Sequence, residues 1–178
     1  MTDELVIPKK SSQIYRDFFE RDAETVARDL LGRVMVQERP KKSSLYVQLS
    51  EIATYEGIVG DDLEEFQKKH SNLFYGPGVL GVSTAYGKHM IDIGTKDLCD
   101  SSCITLIAGY VFNRKGFRKH TQGPGNISRA LDIDGSYDNV PINFGGLWIG
   151  GEPVNPDEIL IRNKSNVPEN CKGFFYFR

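Results

Sequence analysis

The sequence predicts an α+β domain, one compact unit with a curved, mostly antiparallel β-sheet and flanking helices. Three observations predict it. The 178 residues fit one domain rather than two. The 18 Gly and 8 Pro exceed the usual share and favour turns and short strands over long helices. A single helical period near the N-terminus gives way to short β-like runs divided by turn residues.

Residues 1–12, with Pro8-Lys9-Lys10 and no apolar period, read as a flexible N-terminal segment, and residues 13–178 as the domain. From Ile14 to Leu31, the residues Phe18, Phe19, Ala23, Val26, Ala27, Leu30 and Leu31 recur at helical spacing. Acids come early, Arg28 comes late and Gly32 is a stop, so one or two short helices are expected. Val34-Met35-Val36 and the run from Leu45 to Ile52 are β-like, and the polar turn 39–44 between them suggests a hairpin. Residues 58–72 carry Asp61, Asp62, Glu64 and Glu65, then Lys68, Lys69 and His70, the composition of a solvated excursion or short helix. After Gly76-Pro77-Gly78, strands at 79–85 and 89–93 are joined at Tyr86-Gly87-Lys88. A strand at 103–111 then runs into a basic stretch from Asn113 to His120. Gly123-Pro124-Gly125 opens a helix of roughly Asn126 to Leu131, and the tail alternates short strands with turns up to Phe177.

The balance of 22 basic against 24 acidic residues offers no global attraction for nucleic acid, so phosphate contact must come from a local patch. Arg114, Lys115, Arg118 and Lys119 form the densest basic run, and Lys41, Lys42, Lys68 and Lys69 could extend it. Three cysteines, Cys99, Cys103 and Cys171, are an odd count without a signal-peptide pattern. They argue against a disulfide framework and for a reducing, intracellular compartment, whether cytoplasm and nucleoid or nucleus, rather than secretion. No apolar run reaches membrane-spanning length. Three histidines with no close Cys/His pairing disfavour a structural zinc site, and no metal is expected.

Five segments in order carry a resemblance. They are Tyr15 to Arg21 with Val26 to Gly32; Glu51-Ile52-Ala53-Thr54-Tyr55-Glu56-Gly57; Leu73-Phe74 before Pro77-Gly78; Tyr86-Gly87 at a hairpin tip; and Gly123-Pro124-Gly125 through Leu131. Each alone is common. In register they resemble the alkyladenine (3-methyladenine) DNA glycosylase family over nearly the whole chain from Tyr15. The resemblance implies a monofunctional base-excision repair glycosylase that flips an alkylated purine of the 3-methyladenine or 7-methylguanine type and hydrolyses its N-glycosidic bond. It implies double-stranded DNA as partner, no cofactor, a monomer, and no lysine placed for strand cleavage. Tyr86 matches the intercalating tyrosine and Tyr55 an aromatic on which the flipped base stacks.

The chain departs from the family pattern at the chemistry. Ala53 stands where the resemblance places the water-activating carboxylate, Glu64 where it places a pocket histidine, Ser83 a second stacking tyrosine, and Ile107 an arginine. Asp92 takes the place of an asparagine if one residue is deleted there. Asp92, Glu51 and Glu64 are therefore the candidate substitute carboxylates. Strand alternation puts Glu51, Ala53 and Tyr55 on one face and Glu56 on the other. A catalytically inactive reader of damaged DNA is the alternative, and a small-molecule or RNA-binding domain that shares only the fold is a third reading.

Overall fold

Strand β2 (Leu45–Tyr55) organises the architecture, because both of its edges are filled and both partner lines break at the same level. The computed structural model describes residues 6–57, 61, 64–65, 76–96, 102–162 and 171–178. Among these, ten strands join in one curved sheet in which every pairing is antiparallel, as the α+β expectation required. The others are β1 (Val34–Gln37), β3 (Val79–Ala85), β4 (Lys88–Gly94), β5 (Cys103–Phe112), β6 (Arg118–Gln122), β7 (Val140–Pro141), β8 (Leu147–Gly150), β9 (Leu160–Ile161) and β10 (Gly173–Tyr176). The main path runs β7-β3-β4-β5-β2-β1-β8. β5 fills one edge of β2. On the other edge β1 takes Leu45 to Gln48, and β10 takes Glu51 to Thr54. The far edge of β5 is shared likewise, with β4 on Cys103 to Thr105 and β6 on Ala108 to Phe112.

Between these halves the β2–β5 register slips, from Leu49 opposite Gly109, through Glu51 opposite Ala108, to Ile52 opposite Leu106. Strict alternation would put Leu49 and Ile52 on opposite faces. Both are fully buried in the main core, so the bulge resets the phase of the strand. As a result Ala53 and Tyr55 face away from that core. They form a smaller cluster with Cys103 and Phe174, flanked by Ile107 and Cys171.

Helix α1 (Ala23–Leu30) covers the core face through Ala23, Val26, Ala27 and Leu30, all buried against β2, β5 and β10. The helical period expected from 14 to 31 resolves into a 3-10 turn, Arg16–Phe19, followed by α1. Two carboxylates satisfy donors at the start of α1. Asp22 Oδ1 accepts from Thr25 N at 2.8 Å and Oδ2 from Thr25 Oγ1 at 2.6 Å, while Glu56 Oε1, just past β2, accepts from Ala23 N at 2.6 Å. The Thr25 hydrogen bonds, hydroxyl first, hold the Asp22 carboxyl below its ordinary 3.8. Its contribution is therefore present above the unfolded value and lost as pH falls through the lower folded one. Asp22→Ala is expected to cost about 1 kcal/mol in urea unfolding at neutral pH, with the gap from wild type closing below about pH 4.

Helix α2 (Pro124–Ala130) starts two residues before the expected Asn126, with Pro124 in its first turn after Gly123 at φ 91°. It is tied to β4 by Ser128 Oγ donating to His89 O at 2.7 Å. Two features of the structure were not read from the sequence. The basic stretch after β5 is the second arm of a hairpin, β6, which its polar composition hid. The segment from Val6 to Ser12 packs on β8: Pro8 is buried, Lys10 Nζ lies 4.4 Å from the Trp148 ring centre, and Ser12 Oγ accepts from Gly151 N at 2.8 Å.

Candidate active site

Cross-strand pairing assembles the candidate residues into one strip. Gly81 on β3 is opposite Asp92 on β4, Asp92 opposite Thr105 on β5, Thr105 opposite Ala53 on β2, and Ala53 opposite Phe174 on β10. Directly opposed residues share a face, so these five lie side by side on the face turned away from the main core. One step along that face come Gly94, Cys103 and Tyr55. In the other direction comes the Ser83–Met90 pair. The strip thus brings together Asp92, Ala53, Tyr55 and Ser83, while Ile107, at the β5 irregularity, packs against the same cluster.

Asp92 is 4% exposed and accepts a short hydrogen bond from Thr105 Oγ1, which sets the carboxylate orientation from the neighbouring strand. Tyr55 is buried. Burial first, then the neighbouring ionisable groups Cys171, Asp92 and Cys103, pushes its hydroxyl far above the ordinary phenol range, so it stays a neutral ring with a polar tip. Cys103 is pushed up by burial and by Asp92, and Cys171 by burial, with Cys171 Sγ donating to Gly173 O at 3.0 Å. Both are free thiols and neither is a ready nucleophile. Ser83 is buried with a hydroxyl that has no hydrogen-bond partner among the described residues.

The other two candidate carboxylates are differently engaged. Glu51 shares the face of Ala53 but is opposite Tyr176, and Arg162 Nη2 lies 3.4 Å from its Oε1. That guanidinium lies over the Phe174 ring at 4.4 Å and beside Tyr176 at 5.6 Å. Glu64 is helical and exposed, outside the strands that form the strip. Glu56, expected on the opposite face, reaches α1 and lies 3.4 Å from Lys96 Nζ. Cys99, Lys68, Lys69, His70 and Leu73-Phe74 lie outside the described residues.

Tyr86 occupies the β3–β4 turn at φ 51°, followed by Gly87 at φ 72°, the backbone of a two-residue type I′ hairpin. Its side chain is fully exposed. Arg114 and Lys115 sit in the β5–β6 turn, with Arg118 and Lys119 on β6, and all four are exposed. Alternation splits the pair on β6: Arg118 opposes Phe112 while Lys119 opposes Val111, so they face opposite sides. Among the described residues no cluster of His, Cys, Asp or Glu could hold a metal ion, and no helix is long and apolar enough to cross a membrane.

Thr105, Phe174 and Arg162 were not legible as site residues. Their neighbours in space are far away in sequence, and only the alternation of Cys103, Thr105 and Ile107 marked one face of that strand.

The methylpurine-DNA glycosylase family profile matches residues 17–177. The chain belongs to the methylpurine-DNA glycosylase family. A relative from Anaeromyxobacter sp., named "Putative 3-methyladenine DNA glycosylase", is 34% identical over 162 residues, covering 87% of this chain and 81% of that protein. Relatives of the same name from Desulfitobacterium hafniense and Legionella pneumophila (strain Paris) are 25% and 26% identical, over 85% and 87% of this chain and 86% and 85% of theirs. Membership in the methylpurine-DNA glycosylase family gives the chain a DNA-glycosylase-like function in DNA repair, with DNA as its substrate.

Proposed function

We propose that this protein extrudes cationic alkylated purines of the 3-methyladenine and 7-methylguanine type from duplex DNA and hydrolyses their N-glycosidic bond, with Asp92 activating the water. The observation that carries the reading is the buried Asp92, oriented by Thr105 and held in the same cross-strand row as Ala53. A positively charged base leaves without being protonated, so one carboxylate suffices. Water adds its oxygen to C1′ as the sugar gains oxocarbenium character. The base departs neutral with the electron pair of the broken bond, and the water proton passes to Asp92. Tyr55 offers its ring to the electron-poor base, Ser83 lines the same pocket face, and Tyr86 fills the gap left in the stack. Arg114, Lys115, Arg118 and Lys119 contact phosphates, and the protein acts as a monomer.

A second reading, a non-catalytic reader of damaged DNA, is favoured by Ala53 together with the engagement of Glu51 by Arg162. Single-turnover base release from a 7-methylguanine duplex, measured beside binding of that duplex, separates the two. Release faster than the spontaneous rate is expected. Tight lesion-selective binding with no release would make the protein a reader, and hypoxanthine released faster than a methylated purine would overturn the charge-based selectivity.

A further inference from the structure

The two exposed hairpins point the same way. β4 and β5 are antiparallel and paired at Asp92 and Thr105, so the chain before Asp92 and the chain after Thr105 run towards the same end of the sheet. At about 3.3 Å per residue, Tyr86 lies roughly 20 Å beyond Asp92, and the turn after Phe112 about 25 Å beyond Thr105. β4 leaves β5 after its short pairing, and β6 takes the vacated edge. A cleft of about 330 Å³ lies between the β3–β4 turn at Tyr86 and the segment from Gln122 to Asn126, where the β5–β6 hairpin ends and α2 begins.

The β5–β6 turn is built to hold its shape. Asn113 N donates to Phe117 O at 3.2 Å, Gly116 N donates to Asn113 O at 3.2 Å, and Asn113 Oδ1 accepts from Lys115 N and Phe117 N at 2.9 and 3.2 Å. On this frame Phe117 is 52% exposed, among Arg114, Lys115, Arg118 and Lys119. The Arg118 guanidinium lies over the Tyr110 ring, 4.1 Å from its centre, and that ring lies 4.6 Å from His120. On its other side the turn forms a groove of about 600 Å³ with Lys42, Ser43, Ser44 and Tyr46, which adds a further cation. A large apolar ring displayed on a rigid turn and ringed by positive charge fits a partner with flat apolar faces and a phosphate backbone.

We infer that the β5–β6 hairpin is a second DNA-gripping element, in which Phe117 packs against a nucleotide flanking the extruded one. The inference builds on the phosphate contacts proposed above but needs no base release, so it survives if the protein proves to be a reader. The test is binding of a labelled duplex carrying a tetrahydrofuran abasic analogue, across a salt series. Wild type would be compared with Phe117→Ser, Phe117→Tyr and the double variant Arg114→Gln/Lys115→Gln, with thermal melting of each. Phe117→Ser is expected to weaken binding about tenfold with an unchanged salt slope, and Phe117→Tyr to restore it. The double variant is expected to lower affinity and flatten the slope by roughly 0.9 for each phosphate that is no longer neutralised. Wild-type affinity in Phe117→Ser at unchanged melting temperature would overturn the inference. So would equal losses in Phe117→Ser and Phe117→Tyr, or failure of wild type to bind the duplex.

Discussion

Asp92→Asn is expected to lower base release from a 7-methylguanine duplex by at least about 100-fold while leaving affinity for the same duplex within about twofold. The two side chains are nearly the same size. The amide oxygen can still accept from Thr105 Oγ1, so the row from Gly81 to Phe174 keeps its packing while the carboxylate proposed to take the water proton becomes a neutral amide. Glu51→Gln is the contrasting variant. That carboxylate is already held by Arg162, opposite Tyr176 and off the Asp92 row, so its neutralisation is expected to change the rate by less than about fivefold. The opposite pattern, with release kept in Asp92→Asn and lost in Glu51→Gln, would transfer the role to Glu51.

Tyr86→Asn is expected to cut release from an intact duplex by about 10- to 100-fold, with a much smaller loss when the lesion sits unpaired in a bulge, where extrusion costs less. Asparagine is the informative replacement. A bulky residue at φ 51° is uncommon, and the type I′ turn with Gly87 at φ 72° prefers Asn at that position, so the variant should melt at or above the wild-type temperature. Tyrosine therefore stands there against the local backbone preference, and its fully exposed ring contributes nothing to the core. A fall in melting temperature with unaltered release would instead make Tyr86 structural.

Much of the fold was legible because its signals are local. The apolar spacing of α1, the Tyr86-Gly87 turn and the Gly123-Pro124 start of α2 are written in residues a few positions apart, where backbone preference and amphipathic period act directly. β6 was not legible. Its residues Arg118 to Gln122 are polar and lie at an edge, and only pairing with β5 makes them a strand. The packing of Lys10 was not legible for a similar reason: nothing local to it announces that Trp148 will lie beneath it.

Within the site, the sequence by itself supplied the candidates: Ala53 where the resemblance implies a carboxylate, Tyr55 two residues on, and Asp92, Glu51 and Glu64 as the acids proposed in its place. The tertiary structure decided which of them lie together on one face of the sheet. A slip of register near Glu51 turns Ile52 into the core and Ala53 and Tyr55 out of it, and pairing across β2, β5 and β4 sets Thr105 between Ala53 and Asp92. The same pairing leaves Glu51 beside Arg162, while Glu64 stands in solvent. Alternation along one strand is a local property that any sequence displays. Which strands lie next to each other, and where an extra residue breaks the alternation, depends on burying the whole sheet at once, and no single segment encodes it.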